Sequence, residues 1–405
     1  MNTGGVRWRA AAAACTAAVA CAVTASCGGS GQPAGQTASS SPAPAATSTT
    51  AGPTTAAPAA ACAAQVLDGL TLAQRVGQLF LVDPGSDTAG MALTSAVRGY
   101  HFGSLLLGVS SAGTAALAAQ TAAMQKLAAS GNGGVPFFIA ANQEGGEVQQ
   151  LTGLGFATMP SALEQGSWSV STLRTAAAGW GRQLRAAGVN LDLAPVMDVV
   201  PQATAASNAA IGALDREFGD NPVTNGEHGA AFIQGMAAAG VTTAAKHFPG
   251  LGRVTGNTDF TANVVDNVTT ADDPYLNSFR AAIDAGVPIV MVALATYTRI
   301  DPSRLAAFSP VVMRLLRDEF GFTGVIISDD LGDASAVQSI PAGTRAVDFL
   351  TAGGDLITSQ SLGPAEQMAD AVLARASGNA AFRATVDDAA QRVLAAKQAA
   401  GLLFC

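Results

Sequence analysis

The sequence has little charge, few aromatic side chains and few cysteines for its length. Of its 405 residues, 12% are charged and 5% are aromatic, and 29 acidic residues against 21 basic ones give a formal net charge of −8. A nucleic-acid ligand needs a basic face, so this balance excludes nucleic acid as the main partner. No uninterrupted apolar run of about 20 residues follows residue 30, so no membrane span is expected in the body of the chain. Five cysteines without paired C-x-x-C spacing predict neither a disulfide scaffold nor a zinc site.

The N-terminus has the pattern of an export signal. Arg7 and Arg9 precede an apolar stretch, residues 10–23, whose length is that of a signal-peptide core. The tetrapeptide TASC, which ends at Cys27, resembles a bacterial lipobox, in which the cysteine becomes the lipidated first residue of the mature protein. We therefore expect a signal peptide over residues 1–26, export to the extracytoplasmic side, and a lipid on Cys27 as the only membrane contact. The alternative is an ordinary cleaved signal peptide with an incidental cysteine.

The next segment, 27–61, predicts a disordered tether. From residue 28 onward it is almost wholly Ala, Pro, Ser, Thr and Gly, without charge or aromatic residues, and cannot bury enough apolar area to offset its ordering entropy. The globular part then spans 62–405, and its two cysteines, Cys62 and Cys405, are its first and last residues. Thiols outside the cytoplasm tend to pair, and the chain ends of a closed barrel lie near each other, so we expect a disulfide. Two unrelated exposed thiols are the alternative.

Eight short apolar runs alternate with Ala-rich amphipathic stretches over the globular part. Continuous apolar runs are typical of parallel strands buried on both faces. Eight strand–helix units in about 340 residues predict a single α/β domain with a (β/α)8 TIM-type barrel. An open doubly wound sheet is less favoured, because no G-x-G-x-x-G fingerprint follows any of the runs. The runs are residues 78–83, 103–108, 136–142, 190–198, 242–248, 289–294, 324–329 and 355–359.

Polar residues collect at the C-terminal ends of these runs, where barrels carry their chemistry. Asp329 and Asp330 follow the seventh run. Neighbouring side chains on an extended segment point to opposite faces, so one carboxylate faces the barrel mouth and the other has a structural role. A helix N-cap pair is the alternative for both. Lys246 and His247 end the fifth run and suit hydrogen bonding to hydroxyl groups, since a buried lysine without such a role is costly.

A second group of polar residues follows the third and fourth runs. Asn142 begins the segment NQEGG, which also contains Glu144, and Arg216 lies in the loop after the fourth run. A carboxamide, a carboxylate and a guanidinium around a barrel mouth suit a polyhydroxylated ligand, although Arg216 has the alternative of a solvated loop charge. No His/carboxylate triad with ligand spacing is present, so we expect neither a metal nor a cofactor.

Several motifs resemble glycoside hydrolase family 3, and within it the single-barrel β-N-acetylhexosaminidases that act on cell-wall sugars. The motifs are NQEGG, NLDLAPVMDV, IGALDREFGDNP, KHFPGLG, FRAAIDAGVPIVMVA and GFTGVIISDDL, in the family's order over residues 65–400. The resemblance implies a retaining double displacement in which Asp329 is the nucleophile, with Lys246, His247 and Arg216 binding the sugar. Asn142 and Gln150, at positions where the family has a sugar-binding Asp and an Arg, are further candidates for binding substrate. We expect a monomer whose partner is an N-acetylglucosamine-containing glycan or muropeptide.

The sequence departs from that family in the segment that supplies the general acid/base. The family has an Asp-x-His dyad after KHFPGHG, and the equivalent residues here are Asn257, Thr258 and Asp259. Asp259 is therefore a candidate acid/base, a role that a carboxyl group fills if its pKa is raised. Three alternatives stay open: an external nucleophile such as phosphate, a different β-glycoside with an easily lost leaving group, and a barrel that only binds glycan. A lipid-anchored solute-binding protein is disfavoured by the eight-fold pattern.

Overall fold

The computed structural model describes residues 56–85 and 90–405, and of residues 56–61 only the backbone. The predicted signal peptide, Cys27 and the predicted tether up to residue 55 lie outside the described residues. The first helix begins at Ala56, so the last six residues of the segment predicted as a tether are helical. No helix within 56–85 or 90–405 is long and apolar enough to cross a membrane.

The eight apolar runs form a closed parallel barrel, which confirms the predicted (β/α)8 fold. Each strand pairs with its neighbours in chain order, and the barrel closes where Phe80 of the first strand lies opposite Ile357 of the last. The strands are β1 Phe80–Val82, β2 Ser104–Leu106, β3 Phe138–Ala141, β4 Leu191–Asp192, β5 Thr242–Phe248, β6 Ile289–Val292, β7 Val325–Asp330 and β8 Leu356–Ser359.

Helices follow every strand and surround the barrel. Side-chain caps fix several of their first residues: the Asn221 side chain, for example, accepts a hydrogen bond of 2.9 Å from the Thr224 N–H. The helices are α1 Ala56–Gly69, α2 Leu72–Gly77, α3 Met91–Tyr100, α4 Gly113–Gly131, α5 Ala162–Gln165, α6 Val170–Ala186, α7 Pro222–Ala238, α8 Asn277–Asp284, α9 Pro310–Arg314, α10 Ala342–Ala352, α11 Leu362–Gly378 and α12 Ala380–Ala399.

The fourth strand is much shorter than its apolar run. The run covers 190–198, but β4 ends at Asp192, and beyond it only Val196 makes an isolated bridge, to Lys246. Pro195 interrupts the run because proline has no N–H to give to a neighbouring strand. The prediction of a strand over the whole run was therefore wrong at its C-terminal half, which instead forms part of the loop at the barrel mouth.

The N-terminal end of the barrel is closed by α12. Val393 of α12 belongs to the same apolar cluster as the inward-facing strand residues, and the Lys397 Nζ donates to the Gln78 Oε1 at 2.8 Å and to the Gly103 carbonyl at 2.7 Å. Gln78 lies two residues before β1, and Gly103 directly precedes β2. A disulfide joins Cys62 to Cys405, the pair that the sequence predicts, with 5.7 Å between their Cα atoms. The opposite, C-terminal end of the barrel is thus the end available for a ligand.

Candidate active site

An ion cluster centred on Glu144 lies at the C-terminal end of β3. The Glu144 carboxylate accepts two hydrogen bonds of 2.8 Å from the Arg216 guanidinium and lies 2.6 Å from the Lys246 Nζ. All three side chains are largely shielded from solvent. Burial by itself would raise the pKa of Glu144, but the charges of Arg216 and Lys246 outweigh burial and lower that pKa to about 2. Glu144 is therefore ionised at every working pH and fixes two cations at the barrel mouth.

The position after Glu144 requires glycine. Gly145 has a φ of 107°, and a Cβ there would lie 2.2 Å from the Pro160 carbonyl oxygen. Residues Gln143–Gly145 pair with Val148–Gln149 in a short antiparallel ladder. Behind them, the buried Asp192 carboxylate accepts the Gln143 N–H at 3.0 Å. These contacts hold Glu144 under the mouth. The sequence placed Glu144 among the ligand-binding groups, whereas here it binds two cations, and the sequence gave Asp192 no role.

Asn142 and Gln150 are joined to the same cluster. The Asn142 Oδ1 accepts a hydrogen bond of 2.8 Å from the Lys246 Nζ, and the Gln150 Oε1 accepts one of 2.8 Å from the Asn142 N–H. Both residues are half-buried. Asn142 therefore contacts a cation of the mouth directly, whereas the Gln150 side-chain oxygen is used to hold the Asn142 backbone.

His247 is oriented by Asp198, a residue to which the sequence assigned no separate role. The His247 Nδ1 lies 2.7 Å from the Asp198 Oδ2, and the other Asp198 oxygen accepts the N–H groups of His247 at 3.1 Å and Leu251 at 2.8 Å. Asp198 is fully buried. Since Nδ1 is committed to this carboxylate, Nε2 is the ring nitrogen left to contact a ligand.

The two carboxylates at the end of β7 have different environments. Asp330 is buried, and its oxygens accept the backbone N–H groups of Gly332 at 2.8 Å, Gln360 at 3.0 Å and Asp333 at 3.0 Å. Burial raises the pKa of Asp330 to about 6 in spite of these bonds. Asp329 is half-buried, and its Oδ1 accepts the Asp330 N–H at 2.8 Å. Asp330 thus has a structural role in binding backbone N–H groups, and Asp329 is the more accessible carboxylate at the mouth.

Asp259 is brought next to Asp329 by the loop after β5. The Asn257 Oδ1 accepts the Asp259 N–H at 2.9 Å, and the Asp259 carbonyl accepts the Ser335 N–H, from the loop after β7, at 3.0 Å. Burial raises the pKa of Asp259 to about 6, the negative charge of Asp329 adds to the rise, and His247 and the two cations oppose it. Two carboxyl groups and three basic side chains therefore share one electrostatic environment, which suits acid–base chemistry on a neutral polar ligand.

The described residues contain no group of three or more His, Cys, Asp or Glu side chains arranged to hold a metal ion. The carboxylates of Glu144 and Asp198 instead bind basic side chains, and that of Asp330 binds backbone N–H groups. The chemistry available at this site is that of one accessible carboxylate, one carboxyl group with a raised pKa, and fixed hydrogen-bond donors.

Replacing Glu144 by Gln should lower the free energy of unfolding by about 3–5 kcal/mol, because it leaves two buried cations without their anion. The ordinary pKa of the group is 4.5 and its folded pKa is about 2. Its stabilising contribution is therefore complete above pH 4.5 and is lost as the pH falls towards 2. Urea unfolding at pH 7 and at pH 3 should show a large difference between wild type and variant at pH 7 and a smaller one at pH 3. Glu147→Gln, an exposed change in the same segment, is the control, and an equal loss in both variants would contradict this role of Glu144.

Comparison with known proteins gives a consistent set of relatives. The family model "Glycosyl hydrolase family 3 N terminal domain" matches residues 71–396. Beta-hexosaminidase LpqI of Mycobacterium tuberculosis is 32% identical over 330 residues, covering 77% of this chain and 81% of that protein. The crystal structure of a β-N-acetylhexosaminidase from Beutenbergia cavernae is 47% identical, with a TM-score of 0.79, over 81% of this chain and 99% of that chain. A family 3 β-N-acetylglucosaminidase structure from Paenibacillus is 29% identical, with a TM-score of 0.73, over 82% of this chain and 63% of that chain.

Proposed function

The chain belongs to glycosyl hydrolase family 3 and is a glycosidase, and from this premise we propose that it is a retaining β-N-acetylhexosaminidase. We propose that it releases terminal β-linked N-acetylglucosamine from peptidoglycan-derived sugars. The observation that carries the proposal is the pairing of an accessible carboxylate, Asp329, with a second carboxyl group, Asp259, whose pKa is raised to about 6 by burial and by the charge of Asp329. A retaining glycosidase requires an ionised nucleophile beside a protonated acid/base, and two carboxyl groups are the usual pair.

In the first step Asp329 attacks the anomeric carbon as the bond from that carbon to the leaving oxygen breaks. The Asp259 proton passes to the leaving oxygen, so the aglycone departs as a neutral alcohol and the sugar is esterified to Asp329. In the second step water attacks the same carbon, gives a proton to the Asp259 carboxylate and releases Asp329 as a carboxylate. Two inversions at one carbon retain the β configuration.

The electrostatic link between the two carboxyl groups supports both steps. After burial, the Asp329 charge is the main cause of the raised pKa of Asp259. Esterification removes that charge, so the pKa of Asp259 falls and the group that has just donated a proton becomes the base for water. A carboxylate at the acceptor position repels an anion, so we propose water rather than phosphate as the acceptor.

The basic side chains of the mouth supply substrate binding in this proposal. Lys246 and Arg216 are fixed by Glu144 and present their positive charges to the oxygens of the sugar. Asn142 and the Nε2 of His247 are the polar groups left to contact sugar hydroxyls or the N-acetyl group. Export and lipidation at Cys27 are also part of the proposal, and the Cys62–Cys405 disulfide supports export because disulfides persist in oxidising compartments.

We expect kcat/KM for di-N-acetylchitobiose to fall about tenfold per pH unit above pH 6, because the leaving sugar needs the Asp259 proton. For a 2,4-dinitrophenyl β-N-acetylglucosaminide, whose leaving group needs no proton, kcat/KM should not show that fall. Initial rates between pH 4.5 and 8.5, with and without 50 mM phosphate, measure both behaviours and test the acceptor. Binding of N-acetylglucosamine without any turnover, or release of a sugar phosphate, would contradict the proposed function.

A further inference from the structure

An aromatic side chain directly after Asp259 is left in solvent. Phe260 is 80% exposed, and among the described residues the only other exposed aromatic side chain is Phe404, at 90%. The sequence has few aromatic residues, and the remaining phenylalanines of the described part are buried or half-buried. The Phe260 ring does not pack into the core of the barrel, so its exposed apolar surface contributes little to the stability of the fold.

The backbone that carries Phe260 is tied down on both sides. The Phe260 N–H donates to the Asn257 carbonyl at 3.1 Å, and the Ala336 N–H donates to the Thr258 carbonyl at 3.1 Å. The Thr258 side chain is buried beneath this turn. Together with the contact between Ser335 and Asp259, these bonds join the loop after β5 to the loop after β7. The ring therefore projects from an ordered turn at the mouth, and little conformational entropy would be lost when a ligand covers it.

The position of Phe260 follows from the role proposed for its neighbour. A general acid stands beside the leaving oxygen, on the side of the glycosidic bond where the aglycone lies. Phe260 belongs to the same turn as Asp259, which the bond from the Phe260 N–H to the Asn257 carbonyl closes, and its exposed ring is free to meet an aglycone beside the acid. Resting on the proposed function, we infer that Phe260 is an aglycone platform, on which the apolar C–H face of a second sugar ring stacks.

This assignment makes Phe260 a specificity-determining residue. A substrate whose leaving group is a sugar would gain the stacking contact, whereas a substrate with a single-atom leaving group would not. The platform therefore separates substrates by the size and shape of the aglycone and leaves the reaction at the anomeric carbon unchanged. N-Acetyl-β-glucosaminyl fluoride and di-N-acetylchitobiose form a matched pair of probes, because they share the sugar that is transferred.

The test compares Phe260→Ala, Phe260→Leu and Phe260→Trp with wild type on the two probes. We expect Phe260→Ala and Phe260→Leu to lower kcat/KM for di-N-acetylchitobiose about tenfold, mainly through KM, and Phe260→Trp to keep it, since the ring is the element that stacks. With the fluoride, all three variants should match wild type within about twofold. Phe404→Ala, which removes the other exposed ring next to the terminal disulfide, should change neither probe.

Three outcomes would overturn the platform while leaving the proposed function in place. Equal losses on the fluoride and the disaccharide would show that the residue supports the shape of the loop. A loss with the disaccharide in kcat rather than in KM would show that it acts through the proton of Asp259. Unchanged kinetics with the disaccharide in Phe260→Ala would show that no aglycone rests there. Absence of turnover of either probe by the wild type would instead overturn the proposed function, and the platform with it.

Discussion

The variant Asp329→Asn should lose turnover by about 10⁴-fold or more, because an amide cannot form the ester intermediate on which the retaining reaction depends. The loss should be similar for the disaccharide and for the dinitrophenyl glycoside, since both pass through the same intermediate. Binding of N-acetylglucosamine should survive, because the cations and the amide around the sugar are held by Glu144 and Gln150 and not by Asp329. Steady-state rates and isothermal titration with the product measure the two properties separately.

The adjacent residue provides a matched control. Asp330→Asn changes the same functional group one position away, where the carboxylate accepts three backbone N–H groups. We expect this control to lower the thermal midpoint while keeping most of the turnover. Residual activity of Asp329→Asn within a hundredfold of wild type, or loss of turnover only in Asp330→Asn, would remove Asp329 from the nucleophile role.

Asp329→Asn should also change the pKa of the proposed acid, Asp259. With Asn at position 329, one cause of the raised pKa of Asp259 disappears, so that pKa should fall from about 6 towards its ordinary value. Carboxyl carbon chemical shifts of wild type and Asp329→Asn, followed from pH 3 to 8, measure the change. An unchanged pKa of Asp259 would mean that the two carboxyl groups are not coupled as the mechanism requires.

The barrel was predictable because its signal is local. Continuous apolar runs specify strands buried on both faces, and each run required only its own residues to be recognised. The exception is the run over 190–198, where a single proline ended β4 early despite apolar neighbours on both sides. Adjacent side chains on a strand point to opposite faces, so the sequence predicted that one of Asp329 and Asp330 faces the mouth and the other is structural. It did not show which backbone N–H groups would donate hydrogen bonds to Asp330.

The details of the site were less predictable because they depend on distant parts of the chain. Glu144 meets Arg216 across 72 residues of the chain and Lys246 across 246 − 144 = 102, and no spacing rule connects these three positions. Its only signal was a carboxylate placed just after a buried strand. The raised pKa of Asp259 depends likewise on contact between the loops after β5 and β7, which joins residues far apart in sequence.

Removing the acid should separate substrates by their leaving groups. Asp259→Ala should lower kcat/KM for di-N-acetylchitobiose about 10³-fold, because a sugar alkoxide is a poor leaving group without a proton. The dinitrophenyl glycoside should keep a kcat/KM near that of wild type, because its first step needs no proton. Its kcat should nevertheless fall, since water then lacks a base and the glycosyl-enzyme accumulates. Burst kinetics with the dinitrophenyl glycoside measure both steps.

Adding sodium azide to the assays of Asp259→Ala tests whether the variant lacks the base for the second step. Azide is a nucleophile that needs no base, so it should restore the kcat of Asp259→Ala with the dinitrophenyl glycoside and form the β-glycosyl azide. It should not restore the variant with di-N-acetylchitobiose, where the missing proton limits the first step. Asp272→Ala, which removes an exposed carboxylate from the same connection between β5 and α8, should behave as wild type on both substrates. Equal losses on both substrates in Asp259→Ala would assign the proton transfer to another group, and His247, whose Nε2 is uncommitted, would then be the residue to test.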